Sequence, residues 1–166
     1  MTIWANTIVY NEENFVWFAV MSVVDYVDKV LIYDTGSDDK TVDVIKNLKM
    51  KLGSKLDFKE VGKVTKDQFS RVRQKLLEES KSDWVLILDG DEIWWGSSIE
   101  KVVDEINKNG KEIDGVVVPM IVPVGDIYHI QEDLAGKYRI LGREGHFSLR
   151  AINRKIPGLH VDWPYG

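Results

Sequence analysis

Apolar runs of strand length alternate with segments whose apolar residues recur at helical spacing, and this alternation holds through about residue 105. Residues 2–9, TIWANTIV, read as a first strand, after which Phe15, Phe18, Met21 and Val24 recur as one face of a helix. KVLIY (29–33) is a second strand, followed by a helix with Val42, Ile45 and Leu48 on one face. LDFKEV (56–61) is a third strand. The next helix opens with Thr65-x-x-Gln68, a capping box in which each side chain satisfies a free backbone amide, and carries Phe69, Val72 and Leu76 inward. WVLIL (84–88) is a fourth strand. Ser97-x-x-Glu100 repeats the capping pattern ahead of Ile99, Val102, Val103 and Ile106. GVVVPMIVPV (115–124) is a fifth strand, which Pro119 and Pro123 place at an edge or end abruptly. Beyond Gly125 the alternation fades into polar sequence with strand-like pieces such as HFSLRAIN. Strands separated by helices predict an α/β fold, a mostly parallel central sheet with helices on both faces. No repeat, low-complexity tract or linker divides residues 1–166, so one domain is expected.

Composition narrows the class. At 166 residues, 44% hydrophobic and 30% charged, the chain has the size and balance of a globular domain that buries roughly two thirds of its unfolded surface without a staple. There is no cysteine, hence no disulfide framework, thiolate metal site or cysteine nucleophile. A net charge of −5 argues against a nucleic-acid backbone as partner, because such binders carry a basic face. The most apolar stretch, NFVWFAVMSVV, is short and flanked by Glu12, Glu13 and Asp25, which suits a buried helix and not a membrane span. Cytoplasm, with or without peripheral attachment at a membrane, is the default compartment.

In an open α/β sheet, ligands sit outside the carboxyl ends of the strands. That rule selects Tyr10-Asn11-Glu12, Asp34-Thr35-Gly36-Ser37 and Asp89-Gly90-Asp91. The last belongs to WVLILDGDEIWW, where three carboxylates in four positions end an apolar strand. Residues two apart on extended chain face one way, so Asp89 and Asp91 can aim two carboxylates at one point, with Gly90 leaving room beside them. Crowded carboxylates repel unless a cation compensates. Oxygen-only ligands suit Mg2+ or Mn2+, which keep positions for substrate phosphates. The competing account is ordinary Asp-Gly turn chemistry. An EF-hand starting at Asp89 fails, since Ile93 and Trp94 occupy its fifth and sixth positions. A haloacid-dehalogenase-type phosphatase also places Asp-x-Asp after a strand, but needs a second acidic pair that GDIYHI does not supply. The glycine spacings of a Walker loop or dinucleotide fingerprint are absent.

TIVYNEENF, VLIYDTGSDDKT, FSRVRQ and DWVLILDGDEI, in this order and spacing, resemble the family 2 glycosyltransferases of GT-A fold, in the bacterial and archaeal branch with Asp-Thr-Gly-Ser or Asp-Ser-Gly-Ser as second motif. The resemblance covers residues 2–105 well and the remainder poorly. It implies a nucleotide-sugar-binding half over 1–105 and an acceptor-side half over 106–166, which ends close to where relatives carry an acidic acceptor-side motif. It also implies that Asp91 binds the metal on the donor diphosphate and that Asp89 contacts ribose or the metal through water. Asp34 would read the nucleotide base, although Thr35 replaces the second Asp of many relatives. Tyr10 would pack on the base, Asn11 and Glu12 complete that loop, and Arg73 approaches the diphosphate, with Gln74 where Asn is usual. Asp34 and Ser37 also suit a plain turn and helix cap, and Tyr10 plain packing. Arg71 and Arg73 cannot share a helix face, and the motif favours Arg73. Trp94 and Trp95 suit either an acceptor platform or core packing.

The implied reaction is metal-dependent, inverting transfer of a sugar from a UDP- or GDP-linked donor to a glycan, lipid or protein acceptor, with a carboxylate removing the acceptor proton. For that base the candidates, in descending order, are Asp162, Glu132 and Asp133. A sugar-nucleotide-binding module without turnover and a phosphatase are the rival classes.

Overall fold

The computed structural model describes residues 1–132, 135–136, 138–140 and 142–161. Its first two thirds alternate as the pattern predicts: β1 (Ile3–Val9), α1 (Val16–Val23), β2 (Lys29–Asp34), α2 (Thr41–Leu52), β3 (Leu56–Glu60), α3 (Lys66–Glu79), β4 (Trp84–Asp89) and α4 (Gly96–Asn109). Then come β5 (Gly115–Pro119), β6 (Pro123–Val124), β7 (Asp126–Ile130), β8 (Tyr138–Ile140), β9 (Arg143–Gly145) and β10 (Phe147–Asn153). The main sheet runs β3-β2-β1-β4-β10-β5. β3, β2, β1 and β4 are parallel, and β10 is antiparallel to both β4 and β5. β6–β7 and β8–β9 form two separate antiparallel pairs.

This order sets the site. The chain winds outward from β1 to β3, then returns to place β4 on the other side of β1, so the connection direction reverses at the β1/β4 seam. Such a seam opens a crevice at the carboxyl edge.

One face of the sheet packs through Ile3, Ala5, Val9, Val30, Ile32, Leu86 and Leu88 against α1, α2 and α4, in a single core that includes Trp84. The other face packs Leu31 and Tyr33 against Val72 and Leu76 of α3. α3 is fixed further by polar bonds: Asn6 Nδ2 donates to the Leu76 carbonyl at 3.2 Å, and Ser80 Oγ donates to Asn6 Oδ1 at 2.7 Å. Its capping box closes, with Thr65 N–H donating to Gln68 Oε1 at 3.1 Å.

Three local expectations change. α1 turns Val16, Ala19, Val20 and Val23 inward and leaves Phe15 and Phe18 exposed. A segment apolar on every side carries no phase for its buried face, and small or β-branched residues allow closer approach to the sheet. α4 begins one residue before Ser97, with Trp95 at its N-cap and no side-chain cap. The fifth strand is shorter than the expected 115–124, ending at Pro119, while its place at the edge is the one its prolines predicted.

At the opposite edge, Asp83 accepts Thr2 N–H at 3.0 Å and pairs with Lys155 at 2.9 Å, joining β1, β4 and the end of β10. The Lys155 ammonium, with the Thr2 amide, lowers the Asp83 carboxyl from 3.8 to about 2. A depressed folded pKa contributes stability at neutral pH that is lost as pH falls through that interval. The melting temperature of Asp83→Asn should therefore lie below wild type at pH 6, with the gap closing between about pH 4 and pH 2; a pH-independent gap would contradict this role.

Candidate active site

The first wall of the site is built by two loops that hold each other. Asn11 adopts φ 57°, a conformation Asn tolerates because its short amide bonds locally. There its N–H donates to Ser37 Oγ at 2.9 Å, its Nδ2 donates to Asp38 Oδ1 at 2.8 Å, and its Oδ1 accepts Asp38 N–H at 2.9 Å. Glu12 N–H donates to Thr41 Oγ1 at 2.7 Å and Glu13 Oε2 accepts Lys40 N–H at 2.8 Å. Loop 10–13 after β1 and loop 35–41 after β2 are thus one unit. Tyr10 projects from it, 52% exposed.

Asp34 ends β2 and is 1% exposed. Its carboxylate accepts Gly36 N–H at 2.9 Å and Ser37 N–H at 3.2 Å, so it shapes its own loop. Gly36 has φ +91°, and a Cβ there would lie 2.9 Å from the Lys63 backbone nitrogen; both conformation and space exclude a side chain.

Asp89 ends β4, opposite Ile8 on β1, while Asp34 lies opposite Val9 on the other side of the same strand. The two backbones therefore share one edge, flanking β1, but the carboxylates have different neighbours. Asp89 Oδ2 accepts from Arg150 Nη2 at 2.8 Å, and its Oδ1 lies 3.7 Å from Arg73 Nη2. The chain then turns, Glu92 N–H donating to the Asp89 carbonyl at 3.1 Å. Exposure alternates afterwards: Asp91, Ile93 and Trp95 face out, while Glu92 and Trp94 face in. The paired tryptophans thereby separate, Trp94 at 8% exposure in the core and Trp95 at 65% on the surface. Gly90 also has a packing purpose that its place between two carboxylates did not announce. A Cβ there would lie 2.8 Å from Val9 Cγ1 and 2.9 Å from Glu12 Cγ, so its small size lets the β1 loop close on the acidic turn.

The electrostatics follow. Burial, then Asp91, Asp39 and Asp89, push the Glu12 carboxyl upward. Burial raises Glu92 as well, with Asp89 adding to the rise against the opposing Arg150. Arg73 on α3 is half-buried over the Phe69 ring at 5.2 Å, and its Nε has no partner among the described residues, leaving donor capacity for an anion. Arg71 points to solvent. Gln74 accepts Val161 N–H at 2.8 Å, fastening the end of the described chain to the helix that carries Arg73. Glu132 is exposed beyond β7, and its carbonyl contacts His146 Nε2 at 3.3 Å. Asp133 and Asp162 lie outside the described residues.

Arg150 is the residue that sequence reasoning missed. Its one signal was a lone charge inside HFSLRAIN, in a strand-like run that carried no motif.

Among the described residues no group of three or more acidic or histidine side chains is poised to hold a metal unaided. The chemistry nevertheless fits a hard divalent ion that binds through one or two carboxylates and substrate phosphates. Asp91 is exposed and, among the described residues, without a hydrogen-bond or ion-pair partner.

The model of "Glycosyl transferase family 2" matches residues 6–162. The SPbeta prophage-derived glycosyltransferase SunS of Bacillus subtilis is 29% identical over 146 residues, 86% of this chain and 32% of that protein; the chain thus spans about a third of its length. Among solved structures, S. aureus TarS 1-349, also solved in complex with UDP, superposes with a TM-score of 0.61 at 16% identity, over 81% of this chain and 39% of that one. Mannosyltransferase PcManGT from Pyrobaculum calidifontis, in complex with GDP-Man and Mn2+, gives a TM-score of 0.55 at 16% identity, over 74% of this chain and 35% of that one. The fold shared with both is the expected GT-A arrangement.

Proposed function

The chain belongs to glycosyl transferase family 2, and from that premise we propose that it transfers a sugar from a UDP- or GDP-linked donor to an acceptor hydroxyl, with Mn2+ or Mg2+ bound at Asp91 and inversion at the anomeric carbon. The observation that carries this is the β1/β4 seam, where the acidic turn, the interlocked loops and Arg73 meet at one edge of the sheet. The relatives add that TarS was solved with UDP and PcManGT with GDP-Man and Mn2+.

In this mechanism the acceptor oxygen attacks the anomeric carbon, the bond from that carbon to the diphosphate oxygen breaks, and its electron pair leaves with the nucleoside diphosphate. The acceptor proton passes to a carboxylate, for which Asp162 is the first candidate and Glu132 and Asp133 follow. A bound divalent ion would neutralise charge on the departing diphosphate. Arg73 adds a fixed cation beside it. Tyr10 lines the base wall, Asn11 and Glu12 hold that wall together, and Asp34 shapes the loop behind it. Trp95, with Ile93, offers an apolar platform on the acceptor side of Asp91. Phosphate hydrolysis is disfavoured by family membership and because Asp89, the nucleophile it would need, is paired with Arg150.

A thermal-shift series with UDP and GDP tests the donor site. At a ligand concentration about 100 times its dissociation constant the stabilisation is about 2.7 kcal/mol, which for a chain of this size raises the melting temperature by about 5–10 °C. The rise should need Mn2+ or Mg2+ and vanish with chelator. A full rise in excess chelator removes the metal role, and no rise with any nucleoside diphosphate removes the donor site. Transfer from sugar-linked donors then separates an enzyme from a binding module.

A further inference from the structure

Asp89, Asp91 and Glu92, with Glu12 packed against Gly90, gather four carboxylates at one strand edge. On charge alone this edge requires a cation. The structure already contains one. The Arg150 guanidinium reaches in from β10, donating from Nη2 to Asp89 Oδ2 at 2.8 Å and from Nε to Glu92 Oε1 at 3.1 Å, with its side chain 9% exposed. Pairing between β10 and β5 shifts register between Leu149 and Ala151, leaving Arg150 as the extra residue of a β-bulge. Bulges re-aim a side chain, and they are frequent beside active sites. Arginine is always charged, and its planar fork can hold two carboxylates that a single ammonium cannot.

We infer that Arg150 is a resident counter-ion and positioning residue: it ties Asp89 and Glu92 together and reserves Asp91 for the donor's cation, so that the divalent ion is recruited with the nucleoside diphosphate and not ahead of it. This rests on the donor-binding function proposed above. Asp89 Oδ2 and Glu92 Oε1 are occupied by the fork, Glu92 Oε2 accepts Asp89 N–H at 3.4 Å, and Asp89 Oδ1 faces Arg73. Of the four, what remains for a metal is the exposed Asp91 beside the part-buried Glu12, a weak site until diphosphate oxygens complete the shell.

The test is titration of Mn2+ alone, and of Mn2+ with UDP or GDP, into wild type, Arg150→Met and Arg150→Lys, with melting curves as the control for folding. Wild type should bind Mn2+ alone at least about tenfold more weakly than with nucleotide, the low end of the effects of groups that orient metal ligands. Arg150→Met keeps length but frees Asp89 and Glu92, so its affinity for Mn2+ alone should rise by about tenfold or more on the same scale. Arg150→Lys should rise by less. A purely structural role predicts no gain in metal affinity. Wild type binding Mn2+ equally well with and without nucleotide overturns the inference, as does a folded Arg150→Met with unchanged affinity for Mn2+ alone. If Arg150→Met does not fold, the lysine variant decides: a gain supports the inference and no gain overturns it. Failure of every nucleoside diphosphate to bind instead sinks the donor site, and the metal-alone contrast still judges the counter-ion.

Discussion

Asp91→Asn is expected to abolish metal-dependent nucleotide binding while leaving the melting temperature of the free protein essentially unchanged. Asp91 is exposed and, among the described residues, makes no hydrogen bond or ion pair, so its loss should alter stability by no more than about 0.5 kcal/mol. The substitution keeps the shape of the side chain and deletes its charge, and a hard divalent ion depends on anionic oxygen. The transfer rate should fall by about 100-fold or more, the scale on which one preorganised electrostatic partner acts. Donor-induced thermal shifts in the presence of Mn2+, together with initial rates of transfer, read both effects. Unchanged metal affinity in a folded variant would return the Asp-Gly-Asp sequence to ordinary turn chemistry.

That contrast between Asp91 and Asp89 was hidden in the sequence. Strand–helix alternation made β1 to α4 legible, because the period of a half-buried strand or helix is imposed locally. The capping box at Thr65 was legible for the same reason, as was the edge position of β5 from Pro119. The buried face of α1 was not, since a run apolar all round assigns no direction inward. Asp89 and Asp91 were expected to aim at one point, and both act on the Glu12 carboxyl; that Asp89 is also held by Arg150 leaves no trace in their spacing. Arg150 could not be found by spacing. Its approach to Asp89 depends on a strand 61 residues away and on a bulge in that strand, and neither leaves a local pattern. Likewise, no motif distinguishes an Asp34 that faces a ligand from one that holds two backbone amides.

Asp34→Ala is expected to lower the melting temperature by about 5–15 °C and to weaken binding of every nucleoside diphosphate alike. The Asp34 carboxylate is 1% exposed and accepts the Gly36 and Ser37 amides. Truncation leaves both part-buried donors without that partner, at a cost of about 2–4 kcal/mol, and each kcal/mol moves the melting temperature of a chain this size by about 2–4 °C. The damage spreads, because Ser37 Oγ accepts Asn11 N–H and Asp38 is clasped by the Asn11 amide. Loosening loop 35–41 therefore loosens loop 10–13 and the exposed Tyr10 on it. Asp34→Asn, which keeps an acceptor oxygen but not the charge, should fall between alanine and wild type in both measurements. A residue that reads the base behaves differently: its replacement changes the preference between UDP and GDP and leaves the melting temperature of the free protein alone. The geometry of Asp34 commits it to the first behaviour. An unshifted melting temperature combined with an altered UDP-to-GDP preference would transfer Asp34 from the framework of the site to its recognition surface.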